Sequence, residues 1–266
     1  MLRRVHPQLH RRLGLASALL VMALLALAAC GGGAAQVGAA PPASPTATTA
    51  ATATATPAPV VSYVAIGASD AVGVGASDPN HTAYVPLIIA RLPKTAIALN
   101  LGISGETLHA ALTDEAPHAI AARPTLITVW LVGNDFKQCV PLSQYTADLN
   151  TLLGQLQTQT HAKVFVANAP DFSVLPAVRQ VVASGSFCGA PATYASIRAR
   201  SQQWNQVIDA AVAAHHDTLV NLFDSPLSTH PDYVSGDGFH PSDAGYQALA
   251  NLFWTAITAQ GAQKAP

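Results

Sequence analysis

Beyond residue 60 the chain alternates five times between short runs rich in β-branched and other apolar residues and longer amphipathic stretches, which leaves few architectures open. The runs at 60–66, 95–101, 126–132, 162–167 and 218–223 read as strands, mostly too apolar to face water on either side. Between them, 141–158 repeats Leu142, Tyr145, Leu149, Leu152 and Leu156 at helical spacing. The stretch 194–215 does the same through Ile197, Trp204, Ile208 and Val212. A shorter helix is expected over 83–92. A last one follows Ser242, suited to cap it, with Asp243 in the first turn, where a carboxylate favours the helix dipole. The expectation is an α/β fold, a parallel sheet with helices on both faces and one core. Such sheets place their sites beyond the carboxyl ends of the strands.

The first 60 residues follow other rules. Residues 1–59 contain four of the 13 Lys and Arg residues and none of the 14 Asp and Glu. Arg3, Arg4, Arg11 and Arg12 precede an apolar run over 13–29, as a secretory signal requires. Leu27-Ala28-Ala29-Cys30 resembles a bacterial lipobox, which implies cleavage before Cys30 and diacylglycerol on its thiol. Two or more acyl chains anchor stably, at about 0.8 kcal/mol per buried methylene. The alternative is an uncleaved signal anchor with an incidental cysteine. Residues 31–59 are almost wholly Ala, Thr, Pro and Gly without charge, a composition that cannot build a core and reads as a disordered tether. The expected divisions are therefore 1–29 signal, 30–59 lipidated cysteine and linker, and 60–266 folded domain.

Nine basic against 14 acidic residues remain from 60 onward, with no Lys/Arg cluster, so a nucleic-acid surface is not expected. With Cys30 lipidated, Cys139 and Cys188 are left over. An even remainder in an exported protein suggests a disulfide, the alternative being two buried thiols. No further ligand is spaced near either, so no zinc site or other metal is expected.

Four candidate sites follow the strands. Gly67-Ala68-Ser69-Asp70 places a serine on a strand-to-helix turn, although a lone serine there is usually a turn or cap residue. The glycines of Gly102-Ile103-Ser104-Gly105 leave backbone N–H groups uncovered, able to meet a developing oxyanion or simply to turn the chain. In Gly133-Asn134-Asp135 an asparagine amide offers a further donor, or an Asx turn. Asp237 and His240, three apart, can meet across one turn. The carboxylate would then fix the imidazole tautomer and leave the other nitrogen to accept a serine proton.

In this order and at these places the four segments resemble the blocks of the SGNH, or GDSL, hydrolase family, from about Tyr63 to Tyr246. The resemblance implies a flavodoxin-like three-layer sandwich, with a five-stranded parallel sheet of order 2-1-3-4-5. It also implies acyl-ester hydrolysis through an acyl-enzyme, without a cofactor. Ser69 is then the nucleophile, His240 the general base and acid, and Asp237 its orienting partner. The Ser69 and Gly105 N–H groups and the Asn134 side chain form the oxyanion hole. One departure stands out: the family's Gly-Asp-Ser is Gly-Ala-Ser here, with Asp70 following.

The expected partners are an acyl-ester substrate and, through Cys30, a bacterial membrane outside the cytoplasm; a monomer is expected. Two rival readings share the site: an acyltransferase with a sugar hydroxyl as acceptor, and a disabled glycan- or lipid-binding lipoprotein. A flavin or nucleotide protein is a third, but Gly73-Val74-Gly75 lacks a dinucleotide fingerprint. His81, His109, His118, His161, His215, His216 and His230 show no ligand-like clustering. Asp114-Glu115 reads as a solvated helix end. Asp171, after the fourth strand, stands at the active edge, with a structural role the leading expectation and substrate contact the alternative.

Overall fold

The computed structural model describes residues 60–227 and 229–264; the signal, Cys30 and the tether lie outside the described residues. The first strand, β1 (Ser62–Gly67), is buried from Tyr63 to Gly67 and leads into a four-residue helix, α1 (Ser69–Val72). Then come α2 (Tyr84–Ile89), β2 (Ile97–Asn100), α3 (Leu108–Asp114), α4 (Ala116–Ala121), β3 (Leu126–Trp130) and α5 (Gly133–Lys137). They are followed by α6 (Leu142–Gln159), β4 (Lys163–Ala167), a 3-10 turn at Phe172–Val174, and α7 (Val178–Ser184). A hairpin of β5 (Ser186–Phe187) and β6 (Ala190–Pro191) precedes α8 (Tyr194–Ala214), β7 (Thr218–Val220) and α9 (Asp243–Ala259).

The main sheet is parallel and five-stranded, in the order β2-β1-β3-β4-β7, the flavodoxin-like arrangement. Its register aligns Tyr63 with Ala98 on one side and Leu126 on the other. Helices α2 and α9 pack together on one layer, while α3, α4 and α8 pack on α6 in the other. Tyr63, Ile66, Leu126, Ile127 and Phe165 fill the sheet's faces, under Tyr84, Tyr246 and Phe253 from one helical layer and Leu149 and Trp204 from the other. The long helices begin where their caps dictate. Ser242 accepts the Gly245 N–H, and Thr193 with Ser196 forms a reciprocal capping box at α8.

The strand order and long helices match the sequence expectation; the ends of the edge strands do not. β2 covers 97–100 rather than 95–101, and its Ile97 and Leu99 are exposed, because an edge strand has only one neighbour. β7 stops at Val220, where Asn168 Oδ1 takes the Leu222 N–H and Asn221 Oδ1 the Phe223 N–H. Side chains there replace the ladder.

Cys139 and Cys188 are disulfide-bonded across 49 residues, joining the segment after α5 to the β5–β6 hairpin. On the chain-entropy account, closing a loop of this size stabilises by about 4 kcal/mol. Thermal unfolding followed by circular dichroism should therefore move down by about 10 °C on reduction. The C139S/C188S variant should melt at that lower temperature with or without reductant. An unchanged melting temperature would mean that the bridge constrains nothing.

Candidate active site

Ser69 is the first residue of α1 and lies 8 % exposed where β1 ends. The turn beneath it is held by main-chain contacts: Ala68 O accepts the N–H groups of Ala71 and Val72, and Gly67 O accepts that of Ile103. Gly73 closes the short helix at φ +93, a conformation natural to glycine, and its N–H returns to Ser69 O. Gly75 is needed for space as well as for its φ of +94: a Cβ there would lie 2.6 Å from Pro241 O and 3.0 Å from His240 Cβ. The segment after the serine thus packs directly on the histidine loop.

That loop is itself a compact turn. Ser235 donates its N–H to His240 O and its hydroxyl to Asp237 Oδ1. Asp237 Oδ1 also accepts the N–H groups of Phe239 at 2.8 Å and His240 at 3.0 Å. Asp237 Oδ2 is 2.5 Å from His240 Nδ1, and His240 Nε2 is 2.9 Å from Ser69 Oγ. With its proton on Nδ1, the imidazole leaves Nε2 to accept the serine proton. Partial desolvation pushes the Asp237 carboxyl up, but the bonds from the His240 ring, the two N–H groups and Ser235 outweigh it. The carboxyl is held well below the usual range and stays anionic beside the imidazole.

Asn134 is buried in the first turn of α5 and donates one amide hydrogen to Glu106 O at 2.8 Å, which leaves the other. Its neighbour Asp135 accepts the Leu108 N–H at 2.9 Å. Burial pushes Asp135 up to about 6, against the pull of the backbone N–H groups. Two adjacent side chains therefore staple α5 to the loop that carries Gly105. Gly105 has φ +88, nothing would meet a Cβ there, and its N–H has no acceptor among the described residues. Ser69, at the first position of its helix, has an N–H that the helix leaves free. The structure thus brings together Ser69, Gly105, Asn134, Asp237 and His240 at one edge, a constellation that fits nucleophilic acyl transfer.

Some residues behave differently from the sequence reading. Glu115 is not a solvated helix end: it is fully buried, and its Oε1 accepts the Gly67 N–H at 3.0 Å. The α3–α4 junction folds that carboxyl inward, and no periodicity signals it. Asp171 has both oxygens committed, Oδ1 to the N–H and hydroxyl of Ser173 and Oδ2 to Arg198, so its role is structural. Asp70 is half-buried, and desolvation raises its carboxyl to about 6 while the nearby His240 pulls it down. The roles of Gly75, Glu115, Asp135 and Ser235 are not apparent from the sequence. Only Asp135, beside a candidate asparagine, carries a positional hint. His81 faces Asp78, His109 faces Asp148, and His215 lies between Gln157 and Asn150, all as surface hydrogen-bonding groups.

A Ser-His-Asp constellation at the carboxyl edge of a five-stranded parallel sheet defines a class, the α/β serine-hydrolase type. Residues 65–248 match the GDSL-like Lipase/Acylhydrolase family, and the chain belongs to it. It is a carboxylic ester hydrolase. Among curated protein sequences none matches. Among solved structures, the chain is similar to TesA, with 21% identity and a TM-score of 0.59 over 74% of this chain and 98% of that one. It is similar also to a lipase/acylhydrolase from Enterococcus faecalis, with 18% identity and a TM-score of 0.59 over 76% and 97% of the two chains. An acetyl xylan esterase, AlAXEase, shares 13% identity and a TM-score of 0.57 over 74% and 100%. At these identities the likeness is one of fold.

Removing one oxyanion donor costs about 3 kcal/mol of transition-state stabilisation in comparable sites. Asn134→Ala should lower kcat about a hundredfold or more and leave KM within a few-fold, measured on 4-nitrophenyl acetate. An unchanged kcat would take Asn134 out of the site.

Proposed function

We propose that the chain is an extracytoplasmic serine esterase that hydrolyses short-acyl esters through an acyl-enzyme, held at a bacterial membrane by lipid on Cys30. The observation that carries the catalytic part is the continuous relay from Asp237 through His240 to Ser69 Oγ. His240 Nε2 takes the hydroxyl proton as Oγ adds to the ester carbonyl carbon. The carbonyl oxygen becomes an oxyanion facing the N–H groups of Ser69 and Gly105 and the free Asn134 amide hydrogen. The imidazolium returns its proton to the alkoxide as the C–O bond breaks, which leaves the acyl group on Ser69. Water then adds with the same proton transfers and releases the acid.

An apolar cavity beside the site supports the short-acyl reading. It has a volume of about 100 Å³ and lies between Phe136, Phe172, Val181, Phe187, Ile197 and Phe239. Phe239 adjoins His240 and packs on Phe172, while Phe187 belongs to the hairpin that the disulfide fastens to the segment after α5. A dry cavity of about 150 Å³ holds benzene, so this one suits roughly four carbons. The acyl class cannot be inherited from the fold, since its neighbours include an acetyl xylan esterase and an extracellular lipase from Streptomyces rimosus. Membrane attachment rests on the Leu27–Cys30 motif and the apolar run before it.

The test is hydrolysis of 4-nitrophenyl esters from acetyl to dodecanoyl by the full chain and its Ser69→Ala variant. Activity should vanish in the variant, peak near butanoyl and fall steeply by octanoyl. Val181→Trp, which fills the cavity, should lower butanoyl turnover about tenfold or more while leaving acetyl within about twofold. Turnover unaffected by Ser69→Ala would overturn the serine mechanism, and a flat chain-length profile would overturn the short-acyl assignment. Radiolabelled palmitate should enter the protein in bacterial cells and be lost with Cys30→Ser.

A further inference from the structure

One buried acid near the nucleophile has no part in the proton relay. Glu115, at the junction of α3 and α4, is fully buried and reaches across to the N–H of Gly67, the residue that ends β1 two positions before Ser69. Gly67 pairs with Trp130 on the β3 side, but β2 has ended by this level, so the glycine lacks a strand partner on the other. Its carbonyl is taken by Ile103 N–H from the loop after β2, and its N–H by Glu115. There is no slack around it. A Cβ on Gly67 would lie 2.9 Å from Ala71 Cβ and 3.4 Å from both Trp130 O and Tyr84 Oη. We propose that Glu115 is a positioning residue for Ser69: its carboxyl takes the last free N–H of β1 and thereby fixes the turn on which the nucleophile sits. The proposal rests on the serine-esterase reading above.

The chemistry favours an un-ionised acid in this role. Burial pushes the Glu115 carboxyl up to about 8; the Gly67 N–H pulls it down, and Glu106 and Asp114 push it further up. The groups facing it are those two acids, from the loop before α3 and from α3 itself, and the Tyr84 phenol of α2. No described salt bridge gives it a cation. Among the described residues its Oε2 and the Tyr84 Oη are both buried without a hydrogen-bond partner, so ionisation would leave a buried anion met by the Gly67 N–H alone. Above pH about 8 the acid therefore charges, and the brace under Ser69 is expected to loosen. The wild type should show an alkaline fall in kcat that belongs to Glu115 rather than to the relay.

The experiment measures kcat and KM of the full chain, Glu115→Gln and Glu115→Leu on 4-nitrophenyl acetate from pH 5 to 10, with thermal melts of each. Displacing a reacting group by about an ångström can cost about a hundredfold. Glu115→Leu should therefore lose about tenfold to a hundredfold in kcat at pH 7 with KM within about threefold, in protein that still melts cooperatively. Glu115→Gln keeps a neutral acceptor. It should hold kcat within about twofold and lack the alkaline fall. Full kcat in Glu115→Leu, or the same alkaline fall in Glu115→Gln as in the wild type, would overturn the proposal. If Glu115→Leu does not fold, the glutamine profile decides alone. If even the wild type is inactive, the esterase reading fails separately, and amide exchange at Gly67 tests the brace. Protection lost in Glu115→Leu and kept in Glu115→Gln supports it, and equal protection in both overturns it.

Discussion

A parallel sheet delivers the carboxyl ends of all its strands to one edge, and there every strand leaves main-chain groups without a ladder partner. The site depends on how this chain satisfies them. The 2.9 Å contact between Ser69 and His240 joins residues 171 apart in sequence, and neither is placed by its own segment alone. The serine turn is held by the loop after β2 and by Glu115, while the histidine turn is tied to itself through Asp237 and Ser235. Gly75 lets the two lie against each other. The reacting geometry is thus a product of loop-to-loop hydrogen bonding across the sheet edge, with the strands setting only the spacing.

The carboxyls at this edge fall into two electrostatic classes. Asp237 is wrapped by donors and stays anionic, so its contribution to stability is present above its unfolded range and is lost as pH falls through its depressed value. Glu115 and Asp135 are buried with few donors and pushed up to about 8 and about 6. For such groups the sign reverses. Their contribution is complete below the ordinary carboxylate range and is lost as pH rises through the raised values. One edge therefore holds an acid kept anionic by its donors and others that burial favours in the neutral form.

The strand order, the long helices and the residues that meet at the candidate site were legible in the sequence because each leaves a local mark. Buried strands show as β-branched runs, α6 and α8 as helical apolar stripes, and the last helix by Ser242 and Asp243. Ser69 and Asn134 stand in short motifs just after β1 and β3, and Asp237 and His240 in one just before the last helix. The supporting residues left no such mark. Glu115 adjoins Asp114 and reads like any charged helix end, yet a turn between two short helices swings one acid inward and leaves the other exposed. α5 was hidden for a related reason: with only five residues it has too few positions to show a period, although it carries Asn134 and Asp135. Strand ends such as Val220 are set by side-chain bonds from Asn168 and Asn221, which are tertiary contacts.

The alanine at position 68, where the family pattern has an aspartate, sits in the same braced turn. Ala68 is 5 % exposed, and its carbonyl already accepts two N–H groups of α1. The backbone passes so close that a Cβ on Gly102 would meet Ala71 Cβ at 2.5 Å and Ala68 O at 3.1 Å. A methyl group suits such a place, since it adds apolar contact and asks for no hydrogen-bond partner. The two acids that do flank the nucleophile turn approach from elsewhere: Asp70 follows the serine, and Glu115 arrives from the α3–α4 junction. The turn is held through the Gly67 main chain rather than through the side chain at 68. With alanine at 68, Ser69 Oγ still stands 2.9 Å from His240 Nε2.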